Sequence, residues 1–227
     1  MEQLALGVRI PDRASFRSFI SGDNGHALVA LDHLVSNAGG FCWLSGPQGS
    51  GKTHLLQAVT VAVGVHGRAS YAPLRELLPL GAGALEGLSD LAAIALDDLD
   101  AVAGRLEWEQ ALFRLYRETE ERGAIAVFAS QLAPIALPWA LPDLASRAIA
   151  MPAFALKPLD EAQRAQALRL RAQLRGVELP DETLRWLERR FPRDMGSLFS
   201  LLDTLDTAAL VAQRRLTVPF IRSVLRE

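Results

Sequence analysis

The eight residues Gly46-Pro47-Gln48-Gly49-Ser50-Gly51-Lys52-Thr53 constrain this chain more than any other stretch. They read G-x-x-x-x-G-K-T, after an apolar run, Phe41-Cys42-Trp43-Leu44-Ser45, and before a candidate helix, His54-Leu55-Leu56-Gln57-Ala58-Val59. A strand, a glycine-rich loop and a helix in that order form the context in which this pattern binds phosphate. Glycines let the backbone curl so that successive N–H groups point at phosphate oxygens, and the positive end of the following helix adds to that field. In this arrangement Lys52 reaches the β- and γ-phosphates of a nucleotide, and Thr53 sets its hydroxyl on Mg²⁺. The plain alternative is a glycine-rich turn ending in a surface lysine. With glycine near 7% of ordinary usage, chance produces such a match about once in a hundred chains of this length, before the flanking context is counted.

The 227 residues suffice for one large domain, or for a core with a small second domain. Half of them are hydrophobic, so a substantial buried core is expected. The 24 Lys and Arg against 26 Asp and Glu give a net charge of −2, without the basic excess of a protein that holds DNA through its own phosphate contacts. The one cysteine, Cys42, excludes an internal disulfide and any cysteine-cluster metal site, and reads as a small core residue. No basic region followed by an apolar block opens the chain, and no apolar stretch approaches membrane-spanning length. A cytoplasmic protein is the expectation.

Residues 1–13 lack periodicity and read as a tail. A turn-rich approach, Phe16 to Asn24, leads to a helix over 25–37 that Gly39-Gly40 ends. Strands are expected at 41–45, 69–72, 91–98, 124–130 and 148–151, with helices at 54–65, 107–122 and 143–147 between them. Strands alternating with helices imply a parallel α/β sheet. From Pro158 onward no strand pattern remains. Helices are expected at 160–175, 181–190 and 195–213, with a short last one opening at Thr217-Val218-Pro219. The organisation is thus a tail at 1–13, an α/β nucleotide-binding core at 14–157 and a helical lid at 158–227.

Other residues acquire roles from this frame. Asp97 and Asp98 end an apolar strand expected beside the phosphate-loop strand. A carboxylate there faces bound Mg²⁺ and the next one orients an attacking water, so Asp97 takes the metal role and Asp98 the hydrolytic one. A charged strand end capping a helix is the alternative, and Asp100 reads as solvated. Ser130 and Gln131 end the next strand, level with a γ-phosphate that a polar side chain there could sense. Arg147 closes a short helix and on spacing alone is a surface charge. Arg193 opens the third lid helix, either swinging over the nucleotide or sitting in a surface pair. Gln3, Leu4, Leu6 and Val8 suit an extended peptide that docks in a partner's hydrophobic groove, or a frayed tail.

Assembled, these residues resemble the AAA+ superfamily, replication-initiator clade: the loop continuing into GKTHLL, the FRSFISGDN approach and the LDDLD strand end. The segments LPDLASR, ALRLRAQLRGVELPDE and LTVPFIRSVL are similar to the clade's regulators that inactivate the initiator DnaA. The resemblance covers essentially the whole chain. It implies an AAA+ core with a five-stranded parallel sheet, a helical lid, and bound ADP or ATP with Mg²⁺. Lys52, Thr53 and Asp97 match the Walker residues, and Phe19, Ile20 and His54 fall within the segments that approach and leave the nucleotide. Arg147 matches the arginine finger, which completes a neighbouring subunit's ATP site, and Arg193 matches the lid arginine called sensor 2. Gln3 to Val8 matches the peptide that binds the DNA polymerase sliding clamp.

Three departures qualify the match. Asp98 stands where most AAA+ ATPases have Glu, Ser130-Gln131 stands where the initiator has an acidic residue, and Gly7 and Val8 replace the Pro and Leu of the clamp peptide. They imply weak turnover of the chain's own nucleotide and weakened clamp affinity. The initiator's DNA-binding domain has no counterpart before Glu227, so DNA contact is expected only through partners. Two rivals remain. An autonomous ATPase loading a helicase would need turnover alone, and a small-molecule phosphotransferase would need an acceptor-binding insert that the helical tail does not supply.

Overall fold

Five strands of alternating apolar faces build the core sheet. The computed structural model describes residues 14–191, 195–212 and 214–225. Strands β1 (Gly40–Ser45), β2 (Ala69–Pro73), β3 (Ala93–Asp97), β4 (Ile125–Ser130) and β5 (Ala153–Ala155) lie in the order β2-β3-β4-β1-β5, every pairing parallel. In register, Cys42 lies beside Val127 and Trp43 beside Phe128. Because side chains alternate across a strand, Cys42, Leu44, Ala93, Ala95, Val127 and Ala129 fall on one face. They pack there against helices α1 (Gly25–Ser36) and α2 (Lys52–Gly64). Trp43, Ile94, Leu96, Ala126 and Phe128 pack on the other face. The short helix α3 (Leu74–Leu77), α4 (Leu106–Glu121) and α5 (Pro142–Ala150) cover that face. Both faces covered is what an all-parallel sheet requires.

Two expectations are corrected here. The strand ending at Asp97 is not beside the phosphate-loop strand, because β4 lies between them. The last strand is 153–155, not 148–151, since the apolar run Ala148-Ile149-Ala150 continues α5. Leu144, Ala148 and Met151, at helical spacing, are all buried in the core, and Pro152 follows at once.

The chain divides into two compact units at Pro158 and Leu159. The second comprises α6 (Glu161–Leu174), α7 (Asp181–Arg190), α8 (Met195–Ala212) and α9 (Val218–Leu225), with no strand among its described residues. A capping box opens α6: Asp160 accepts from the Gln163 N–H at 2.8 Å, and Gln163 Oε1 accepts from the Asp160 N–H at 3.0 Å. Arg171 and Arg175 pair with Asp203 and Asp206 across α6 and α8. Leu168, Leu202, Leu205, Leu216 and Ile221 are almost wholly buried there. Among the described residues no helix is long and apolar enough to cross a membrane.

Candidate nucleotide site

The loop between β1 and α2 takes backbone shapes that only glycine adopts freely. Gly46, Gly49 and Gly51 have φ of 149°, 78° and 95°. A Cβ on Gly51 would stand 2.7 Å from the Phe19 ring, and one on Gly46 would stand 2.5 Å from the Leu156 carbonyl oxygen. Lys52 lies across the loop, its Nζ donating to the carbonyls of Gly46 at 2.7 Å and Pro47 at 3.0 Å. Burial lowers its pKa, against the opposing pull of Asp97, Asp100 and Asp98. Ser50 Oγ is buried without a hydrogen-bond partner. A buried hydroxyl left unpaired is costly, and a phosphate oxygen is the kind of acceptor that a loop so shaped supplies. A buried ammonium, an orphaned hydroxyl and a side-chain-free curl fit a polyphosphate. Pro47, Gln48 and Gly49 form the loop's exposed or half-exposed rim.

The turn before α1 braces the start of α2. Ser15 and Ser18 cap each other in a reciprocal box, and His54 Nε2 lies 3.0 Å from the Ser15 carbonyl and 3.2 Å from Ser18 Oγ. The Phe19 ring is 5.5 Å from the His54 ring, so Phe19 and His54 meet at the loop's flank. Ile20 is half-buried beside them in sequence.

The acidic strand end lies across β4 from β1, yet Thr53 Oγ1 donates to Asp97 Oδ2 at 2.6 Å. Thr53 and Asp97 are therefore the neighbouring oxygen ligands that could hold a divalent cation here. Among the described residues no group of three or more His, Cys, Asp or Glu is arranged as a metal site, so water and phosphate would complete the shell. Tyr71, on β2, also donates to Asp97 Oδ2 at 2.9 Å, a partner that the sequence alone did not single out. Burial and the Asp97 carboxylate push the Tyr71 phenol far up, so it stays a donor. Asp98 has φ 58° and ψ 44°, the left-handed region. Strained backbone of this kind collects at functional sites. Burial first, then the neighbouring Asp97, raises its carboxyl pKa, while Arg75 at 3.6 Å pulls the other way.

Two sequence assignments change. Ser130 is wholly buried, accepting from Trp43 Nε1 at 2.8 Å and donating to the Leu132 carbonyl, so its hydroxyl serves the core and not a phosphate. Gln131 keeps an exposed side chain, while its carbonyl accepts from the phosphate-loop Gly46 N–H at 3.2 Å. Asp100 is not simply solvated: its carboxylate accepts from the N–H groups of Gln131, at 2.9 and 2.8 Å, and of Leu132 at 3.3 Å.

Arg147 sits inside α5 rather than at its end, exposed, its guanidinium 5.8 Å from the centre of the Tyr116 ring. Tyr116 donates to Glu120 at 3.0 Å, and its ring lies 4.5 Å from that of Phe41, tilted by 36°. Arg147 lines an open cavity of about 580 Å³ with Gly40, Phe41, Tyr116 and Met151, at the amino end of β1. The phosphate loop leaves the other end of that strand. Five residue steps at about 3.3 Å each put roughly 17 Å between the two ends. Arg193 and the segment Gln3, Leu4, Leu6 and Val8 lie outside the described residues.

Residues 160–225 match a family model described as Hda, lid domain. The fold is that of AAA+ proteins. Domain III of the Thermotoga maritima replication initiation protein DnaA superposes with a TM-score of 0.77 at 21% identity, over 95% of this chain and 97% of that one. AMPPCP-bound DnaA from Aquifex aeolicus gives 0.64 at 20% identity, over 83% of this chain and 64% of that one. The Thermotoga maritima RuvB branch migration motor gives 0.62 at 16%, over 94% and 72%.

Proposed function

We propose that this AAA+ chain with an Hda-type lid is a DnaA-directed negative regulator of replication initiation, acting through Arg147 on ATP bound to DnaA. The observation that carries the reading is the place of Arg147. It is exposed at the end of the sheet away from the chain's own phosphate loop, so its charge is available to a neighbour and not to its own nucleotide. In DnaA-bound ATP, water attacks the γ-phosphorus while the bond from that phosphorus to the β–γ bridging oxygen breaks. The products are phosphate and ADP, which takes the bonding pair. Arg147 would neutralise the charge that gathers on the transferring group, an effect worth about 10³–10⁵ in rate. The initiator is left in its ADP form.

The chain's own site would hold ADP or ATP. Lys52 and the loop amides would grip the phosphates, and Phe19, Ile20 and His54 would flank them. With Mg²⁺ held by Thr53 and Asp97, charge on the phosphates would be screened. Asp98 in place of Glu makes this nucleotide a resident ligand more than a substrate. The likeness to an AMPPCP-bound DnaA supports an adenine nucleotide. Gln3, Leu4, Leu6 and Val8 would tether the chain to the DNA-loaded sliding clamp, which supplies nucleoid association without direct DNA contact.

The test is ATP hydrolysis on DnaA with clamp and DNA present, comparing wild type with Arg147→Ala. Loss of most of the stimulation is expected, and an unchanged rate defeats the reading. The second reading, an autonomous ATPase loading a helicase, draws on the intact Thr53–Asp97 pair. Turnover without DnaA, removed by Asp98→Ala, would favour it.

A further inference from the structure

Glu109 is a charged side chain with no exposed surface, on α4, and neither the nucleotide site nor the finger uses it directly. A buried carboxylate is tolerated only when its lone pairs are taken. Here three backbone donors from two loops take them. Oε1 accepts from the Gly104 N–H at 2.6 Å. Both oxygens accept from the Ala140 N–H, at 3.1 and 2.9 Å, and Oε2 accepts from the Leu141 N–H at 2.6 Å. Leu141 is the residue that opens α5, whose start carries no side-chain cap, and Arg147 lies on that helix. The carboxylate of α4 thus holds the N–H of the residue that opens α5 and of the one before it, and fixes where α5 begins.

The other loop follows the acidic strand end. Gly104, at φ 83°, lets that loop approach so closely that a Cβ there would lie 3.1 Å from the Pro138 carbonyl. The chain joining β4 to α5 is thus held at both ends. Its first residues, Gln131 and Leu132, donate to Asp100, and the Gln131 carbonyl takes the Gly46 N–H of the phosphate loop. Its last residues, Ala140 and Leu141, donate to Glu109. Hydrogen bonds joined through the covalent segment 100–104 thus make a path from the phosphate loop to the helix that bears Arg147.

We propose that Glu109 is the positioning residue for Arg147, joining the nucleotide-side loop at Gly104 to the start of α5. It touches neither nucleotide nor reacting atoms. The inference rests on Arg147 acting on a partner's ATP. Occupancy of the chain's own site would then tighten the α5 start and set how the guanidinium is presented.

The experiment uses full-length wild type, Arg147→Ala and Glu109→Gln with DnaA, clamp and DNA, and records the stimulated rate at saturation, the ADP affinity and amide exchange. In Glu109→Gln an amide N–H₂ faces a backbone N–H, so one end of the clamp opens. A finger displaced by roughly 1 Å loses on the order of 10²-fold in rate. A fall of that order is expected, with ADP affinity lowered by no more than about tenfold and faster exchange at Gly104, Ala140 and Leu141. A wild-type rate for Glu109→Gln beside a dead Arg147→Ala overturns the inference and leaves the function standing, with Glu109 a fold clamp only. Full rates in both variants overturn the function itself. If Glu109→Gln does not fold, exchange in the wild type with and without ADP decides. Opening at the clamp about tenfold rarer with ADP is expected, and equal rates overturn the inference.

Discussion

Asp98 and Ser130 show how far one side chain's surroundings decide its chemistry. Burial and Asp97 raise the Asp98 carboxyl above its ordinary value, so its ionised form costs stability in the folded chain. Below the unfolded pKa, about 3.9, both states are protonated and no cost arises. The cost grows as pH rises past that value and is full above the folded pKa. Asp98→Asn removes it and suits the left-handed backbone. The melting temperature of the variant should therefore exceed that of wild type at neutral pH, with the gain vanishing near pH 4. A melting series across pH checks this, and a gain that persists in acid contradicts it. Ser130→Ala tests the opposite kind of residue. It strips the partner from the buried Trp43 indole N–H, which should cost about 1–3 kcal/mol in denaturant unfolding. Stimulated ATP hydrolysis should stay at the wild-type level, because the hydroxyl faces the core.

At the scale of elements, the start of α2 is held by a fit between backbone and ring. Gly51 combines φ 95° with a Phe19 ring at 2.7 Å from any added Cβ. Gly51→Ala should cost about 1–2 kcal/mol for the left-handed backbone alone, with the clash added, and should weaken ADP binding. Adding Phe19→Ala should return the clash part only, so the double-mutant cycle by denaturant unfolding should show coupling. Full recovery or none contradicts the geometry. The phosphate loop was legible because its chemistry is written in eight consecutive residues, and Thr53 with Asp97 followed from a local rule about strand ends. Tyr71 was not legible. Its reach to Asp97 depends on β2 pairing with β3, which brings Tyr71 beside Ala95, two residues short of the aspartate. Glu109 was hidden for the same reason, since two of its donors stand 31 and 32 residues away. The last strand was misplaced because Ala148-Ile149-Ala150 suits a strand or a buried helix equally. Only the packing of Ala148 with Leu144 and Met151 in one core decides for the helix.

For the whole molecule, each compact unit carries its own apolar interior. The two main clusters, built around Trp43 and Leu112 and around Leu44 and Leu56, draw only on residues up to Leu156. In the second unit Leu168, Leu184, Leu202, Leu205 and Ile221 are buried, and the Arg171, Arg175, Asp203 and Asp206 pairs close α6 on α8. Units with separate interiors unfold as separate cooperative steps unless something bridges them. Calorimetry without nucleotide should therefore show two transitions. A ligand that binds the native core alone stabilises it by mass action, about 2.7 kcal/mol at a free concentration one hundred times the dissociation constant. Saturating ADP with Mg²⁺ should move the core transition upward. If the second unit responds to the nucleotide as well, its transition should rise toward the first and merge with it. Lys52→Ala should abolish both shifts. A single nucleotide-independent transition in wild type would show one cooperative fold that the nucleotide does not stabilise. Two transitions of which only the core's moves would confine the nucleotide's influence to the core. In that case Arg147 would have to be set by the path through Glu109, which lies wholly within the core.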